Sequence, residues 1–177
     1  NLYELLRNLF TWSSFQRGTI EFHPQYIDIR EIIDRNLKLF MPVAERKHIT
    51  LRSLIQEETA IYADASMVYA IIRNLISNAL KFTRPGGKVR ISATHNNEFV
   101  EVSVADTGVG ICEKDLSKLF QIDVKYQQTG TAGEEGTGLG LILCKELIEK
   151  NGGSLSLESE IGKGTTVMFT LPKPSKI

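Results

Sequence analysis

Cysteine is scarce in this 177-residue chain, with only Cys112 and Cys144 present. They lie far apart and match no zinc-ligand spacing, which excludes a disulfide framework or a zinc module and fits two unpaired packing thiols in a reducing compartment. Net charge is missing as well. Lys plus Arg and Asp plus Glu both total 21, so no overall field draws nucleic acid or an anionic membrane. No apolar run approaches the ~20 residues that a spanning helix needs, and the N-terminus has no signal-peptide pattern. These absences predict a soluble, cytoplasmic chain with no nucleic-acid partner and no membrane contact of its own, leaving the intact protein free to carry an anchor elsewhere.

What is present suffices for one well-filled core and an appendage. Leu2, Leu5, Leu9 and Trp12 recur at steps of three and four, which predicts a helix over residues 1–16 with a heptad seam. Its abrupt, uncapped start suggests the end of a longer helix in a bundle or coiled coil, although an amphipathic helix folded back on its own domain has the same periodicity. Residues 17–27 read as a linker, extended at Phe22-His23-Pro24 because a residue before proline avoids the helical region. Asp28 with Glu31 forms a capping-box pattern for a helix reaching Pro42, with residues 43–48 as an extension after a kink. Strands are expected over 49–55 and 61–63, and Asp64 is placed to cap a helix running to Phe82. A turn at Pro85-Gly86-Gly87 leads to a hairpin, 88–94 and 99–105, that turns at Asn96-Asn97. After a short helix over 113–120, residues 121–136 are polar and aperiodic and read as a mobile loop. A helix over 138–150 and a last hairpin, 154–159 and 165–171, close the domain. The expected fold is α+β, a two-layer α/β sandwich with helices on one face of a mixed sheet.

Three stretches carry chemistry. The second hairpin delivers Asp106-Thr107-Gly108-Val109-Gly110-Ile111, a carboxylate followed by glycines. Such a turn sets one fixed acceptor beside a backbone without side chains, where a flat ligand can lie. Adenine suits it, because its exocyclic amine can donate to an ionised aspartate. Asp, Thr and Gly also make ordinary surface turns. The helix from Asp64 places Asn74, Asn78 and Lys81 within about a sixth of a turn of one another, beside an apolar arc of Val68, Ile71, Ile72, Leu75 and Ala79, with Phe82 on the border. Amide and phosphate oxygens are the hard ligands that Mg²⁺ accepts, the lysine would offset phosphate charge, and the ring could stack on a base. Taken alone, the same face could simply be solvated. Last comes Gly136-Thr137-Gly138-Leu139-Gly140-Leu141, whose backbone N–H groups can crowd around a phosphate at the start of the following helix. It is neither the dinucleotide fingerprint nor the P-loop, and the lysine and catalytic-loop signatures of protein kinases are absent.

In that order, the asparagine helix, the Asp-Thr-Gly-Val-Gly turn and the Gly-Thr-Gly-Leu-Gly loop resemble the N, G1 and G2 boxes of the ATP-binding domain of sensor histidine kinases, with Leu116 to Phe120 similar to the F box. The resemblance covers about residues 28–172 and implies the Bergerat or GHKL fold shared with Hsp90, MutL and type II topoisomerase ATPases. It implies ATP and Mg²⁺ as cofactors and a catalytic domain over 28–174, with 175–177 as a tail and 1–16 as the end of the dimerising hairpin's second helix. It also implies roles. Asn78 would ligate Mg²⁺, Asn74 and Lys81 would assist at the phosphates, Phe82 would stack near adenine, and Asp106 would take the adenine amine. Gly108 and Gly110 would shape the base pocket, the Gly136 to Gly140 loop would meet the phosphates through Gly138 and Gly140, and Thr165 would support Asp106. The implied partners are the histidine-bearing hairpin of the same protein, in a homodimer of the full-length protein, and a response regulator receiver domain.

One part is missing. The family's phosphoacceptor is a helical histidine followed by an acid, whereas His23 precedes Pro24, His48 precedes Ile49 and His95 precedes an Asn-Asn turn. All three are expected to be structural or exposed, and the chain alone is not expected to retain phosphate. Lys118 and Lys125 could reach a γ-phosphate, but each reads better as a solvated charge. Two other readings stay open: an ATPase clamp of the Hsp90 or MutL type, and a nucleotide-sensing module that transfers nothing.

Overall fold

Two short strands, each ending in an aspartate, organise the start of the domain. The computed structural model describes residues 21–121, 129–134 and 138–174. The expected helix over 1–16, Lys125, Gly136, Thr137 and the 175–177 tail lie outside the described residues. Strand β1, Pro24–Asp28, pairs antiparallel with β3, Ala60–Asp64. Asp28 accepts a hydrogen bond from Arg30 N (3.0 Å) and opens helix α1, Ile29–Arg46. Asp64 accepts from Ser66 N (2.9 Å) and Met67 N (3.1 Å) and opens α2, Ala65–Phe82. Each cap satisfies N–H groups that a helix start leaves unpaired.

Residues 24–27, read from sequence as the end of a linker, therefore form a paired strand together with Asp28. Their extended backbone was legible, but their partner lies more than thirty residues away, at 60–64. Glu31 does not complete a capping box. Its carboxylate faces Arg35 at 3.8 Å. Helix α1 continues through Pro42 to Arg46 without stopping. The chain then turns at His48, the one described non-glycine residue with positive φ, at 56°.

The main sheet has the order β2-β4-β5-β7-β6, comprising Thr50–Ser53, Lys88–His95, Phe99–Asp106, Gly164–Pro172 and Leu155–Glu160. β2 runs parallel to β4 and the other pairs are antiparallel, so the sheet is mixed as expected. Strand β5 shows the two-sided pattern of a half-covered sheet. Val100, Val102 and Val104 are buried while Glu101 is exposed. The buried row meets Ile71, Ile72, Leu75, Ile76 and Ala79 of α2 in a single core. Helix α3, Glu113–Leu116, is shorter than the expected 113–120, and α4 spans Gly140–Lys150. Asn96 closes the β4–β5 hairpin, its Oδ1 accepting from Glu98 N and Phe99 N. Among the described residues, no helix is long and apolar enough to cross a membrane.

Candidate nucleotide-binding site

Strand β5 ends at Asp106, opposite Thr165 of β7. The carboxylate Oδ1 accepts from Gly108 N (2.8 Å) and Thr165 N (3.3 Å), and among the described residues no hydrogen bond reaches Oδ2. Burial pushes this carboxyl up to about 6, against the opposing pull of the Gly108 and Thr165 N–H groups. Close backbone packing beside it requires glycine. A Cβ on Gly108 would lie 2.4 Å from the Phe82 carbonyl oxygen and 2.7 Å from Asp106 Oδ1. Gly110 has φ 69°, and a Cβ there would lie 2.0 Å from the Glu160 carbonyl oxygen. Any side chain at either position would force the turn apart.

The turn is tied to the end of α2 and to the last hairpin. Val109 N donates to the Phe82 carbonyl (3.1 Å), and Gly162 N donates to the Val109 carbonyl (2.8 Å). Ser159 Oγ accepts from Ile111 N (2.8 Å), donates to the Gly164 carbonyl (3.0 Å) and lies 2.8 Å from Thr165 Oγ1. Sequence reasoning missed Ser159, because its partners sit on two different segments, the Asp106 turn and β7.

On α2, Asn74 and Asn78 face the start of α4. A Cβ on Gly140 would lie 3.8 Å from Asn78 Nδ2 and 4.0 Å from Asn74 Oδ1, so the two amides and this glycine share one place. Among the described residues the buried Asn74 Nδ2 atom has no nitrogen or oxygen hydrogen-bond partner, and the Asn74 side chain lies within hydrogen-bonding reach of the Cys144 thiol. Burial pushes this thiol up to about 12, with smaller opposing pulls from Asn74 and Arg73. Among the described residues no side chain caps α4 at Leu139, which follows Gly138, and a helix start of this kind suits an anion. Lys81 Nζ lies 4.8 Å from the centre of the Phe82 ring. Asn74 and Phe82 are eight residues apart, about 12 Å along a helix.

The remaining expected contributors lie elsewhere. Lys118 pairs with Asp115 at 2.7 Å, and Phe120 carries Lys145 Nζ 5.8 Å from its ring centre. His23, His48 and His95 are all exposed. Sequence reasoning also passed over Lys47, Thr131 and Glu134. Their hydrogen bonds meet at the end of α2, where a mobile loop was expected and residues 129–134 instead form a bonded turn.

Residues 63–175 match the family described as histidine kinase-, DNA gyrase B-, and HSP90-like ATPase. Histidine protein kinase DivJ of Caulobacter vibrioides is 35% identical over 175 residues, covering 97% of this chain. The chain spans only 29% of DivJ's length. The solved catalytic domain of histidine kinase ThkA superposes with a TM-score of 0.71 at 26% identity, over 87% of this chain and 97% of that one. Full-length ShkA, solved in complex with AMPPNP, superposes with a TM-score of 0.83 at 25% identity, over 99% of this chain and 37% of that one. A family match across more than half of the chain, spanning both the asparagine helix and the Asp106 turn, decides the assignment: this chain belongs to the histidine kinase-, DNA gyrase B- and HSP90-like ATPase family.

Proposed function

We propose that this chain is the ATP-binding catalytic domain of a two-component sensor histidine kinase, which binds Mg-ATP and presents the γ-phosphate to a histidine on a helical hairpin of the same protein. One observation carries most of the weight. Asp106 is held by two N–H groups at Oδ1, while among the described residues nothing bonds Oδ2, in a turn that glycines keep tight. An open acceptor at a flat, side-chain-free surface selects a planar ligand with an amine at its edge, as adenine has. Thr165 N–H orients the carboxylate, Gly108 and Gly110 let the turn fold tightly enough to shape the base pocket, and the Phe82 ring stacks against the base.

The phosphate end lies along α2. Asn74 and Asn78 set their amides beside Gly140, Lys81 offsets charge, and the N–H groups of the first turn of α4, after Gly138 and Leu139, would meet a phosphate. Gly136 and Thr137 belong to this loop but lie outside the described residues. Among the described residues no three His, Cys, Asp or Glu side chains cluster to hold a metal. A hard cation would be held by the Asn78 amide oxygen together with phosphate oxygens, a donor set that Mg²⁺ accepts. When bound, the magnesium ion would supply charge neutralisation at the phosphates. The residues themselves bind, orient and exclude water, which is most of what phosphoryl transfer asks of a protein.

Support for the kinase reading over an ATPase clamp comes from the relatives, since DivJ and ThkA are both named as histidine kinases. The hairpin, a homodimer of the full-length protein and a response regulator receiver domain follow as proposed partners. Replacing Asn78 tests the metal role. In Asn78→Ala, ATP affinity in Mg²⁺ should fall about tenfold while affinity in EDTA changes less than about twofold; equal losses under the two conditions would remove Asn78 from the metal.

A further inference from the structure

Helix α2 ends without finishing itself. Its last carbonyls are taken by groups from three other segments: Val109 N on Phe82, Thr131 N on Lys81 (3.0 Å), and Lys47 Nζ on Leu80 (2.6 Å) and Lys81 (3.3 Å). The same ammonium donates to Thr131 Oγ1 (3.0 Å) and Glu134 Oε1 (2.9 Å). Thr131 Oγ1 in turn lies 2.9 Å from the Thr83 carbonyl oxygen. Only 11% of the Lys47 side chain is exposed, and an ammonium leaves water at a net gain only where its partners replace the solvent. All its partners belong either to the end of α2 or to the 129–134 turn. That turn closes on itself through Gly130 N to the Glu134 carbonyl (2.8 Å) and Ala132 N to Glu134 Oε2 (2.9 Å). It also rests directly on the Lys81 side chain, since a Cβ on Gly130 would lie 2.6 Å from Lys81 Cγ.

We propose that Lys47 is a positioning residue for phosphate binding: its ammonium clamps the 129–134 turn onto the carboxyl end of α2, and the turn holds the Lys81 side chain toward the phosphates. The proposal rests on the reading of Lys81 as a phosphate contact. Lys47 itself touches no nucleotide. It acts through Lys81, and its removal frees the stem of that side chain while leaving the Asp106 turn, anchored separately through Val109 and Ser159, in place.

The test is a cycle of ATP and adenosine affinities, measured by NMR titration on the wild-type chain, Lys47→Met, Lys81→Ala and the double variant. Lys47→Met should weaken ATP about tenfold in the wild-type background, less than about twofold in the Lys81→Ala background, and leave adenosine binding unchanged. A loss of equal size in both backgrounds, or a parallel loss of adenosine, would show general loosening of the fold and overturn the proposal. Thr131→Val, which breaks the turn side of the clamp without removing a charge, should show the same pattern and stands in if Lys47→Met does not fold. If Lys81→Ala weakens ATP and neither Lys47→Met nor Thr131→Val does, the clamp is refuted and the site reading survives. If Lys81→Ala leaves ATP unchanged, the phosphate role of Lys81 fails and the clamp falls with it.

Discussion

A carboxyl group drawn out of water beside an open face, as Asp106 is, has opposite effects on folding and on binding as pH changes. Burial raises it from the ordinary 3.8 to about 6, so the folded chain takes up its proton more readily than the unfolded one. Acidification from pH 7 to 5 therefore removes no stability through this group. An adenine amine needs the ionised acceptor, and below about pH 6 that form is depleted by about tenfold per pH unit. Adenosine has no phosphate to titrate in this window. Its affinity should fall below about pH 6 in the wild type and stay flat in Asp106→Asn, with thermal unfolding followed in parallel as the control. A flat wild-type profile would mean that the carboxylate does not meet the base. At this scale the sequence was readable where the residues are neighbours, as Asp106, Gly108 and Gly110 are. Ser159 was not, because its importance lies in meeting Ile111, Gly164 and Thr165 at once.

Among the elements, α2 carries most of the site, and Asp64 sets where it begins. This carboxylate caps the helix through Ser66 and Met67 and also accepts from His23 N at 3.0 Å. Burial works against its charge and is outweighed by the hydrogen bonds from Ser66, His23 and Met67, which hold it below its usual 3.8. A depressed acid contributes stability above its unfolded value and loses it as pH falls through the folded one. Asp64→Ala should lower stability near neutral pH by about 1–2 kcal/mol, and the difference from wild type should shrink as the pH drops below about 4. Thermal unfolding across pH measures both, and a constant difference would assign the loss to packing instead. The face of α2 and both hairpins were legible because periodicity and turn chemistry are local. Strand β1 was not, because Pro24–Asp28 earns its place only by pairing with Ala60–Asp64.

Taken as a whole, the molecule hangs its candidate site on the two ends of one helix. At the amino end Asp64 joins α2 to β1 and to His23, and at the carboxyl end the Asp106 turn, Lys47 and the 129–134 turn converge. The asparagine helix and the glycine segments made the family legible, since their order along the chain is itself the signal. The clamp had no such signal, because Lys47 looks like any basic residue at a helix end until its partners, 33 to 87 residues away, are seen. What unites the whole is the claim that Asp106 receives an adenine amine. Calorimetric titration of ATP and GTP into the wild-type chain and Asp106→Asn tests it most directly. ATP should bind the wild type, GTP, with an acceptor where adenine has its donor, should bind at least about tenfold more weakly, and Asp106→Asn should lose most of the ATP affinity. Unchanged ATP binding in Asp106→Asn would contradict it.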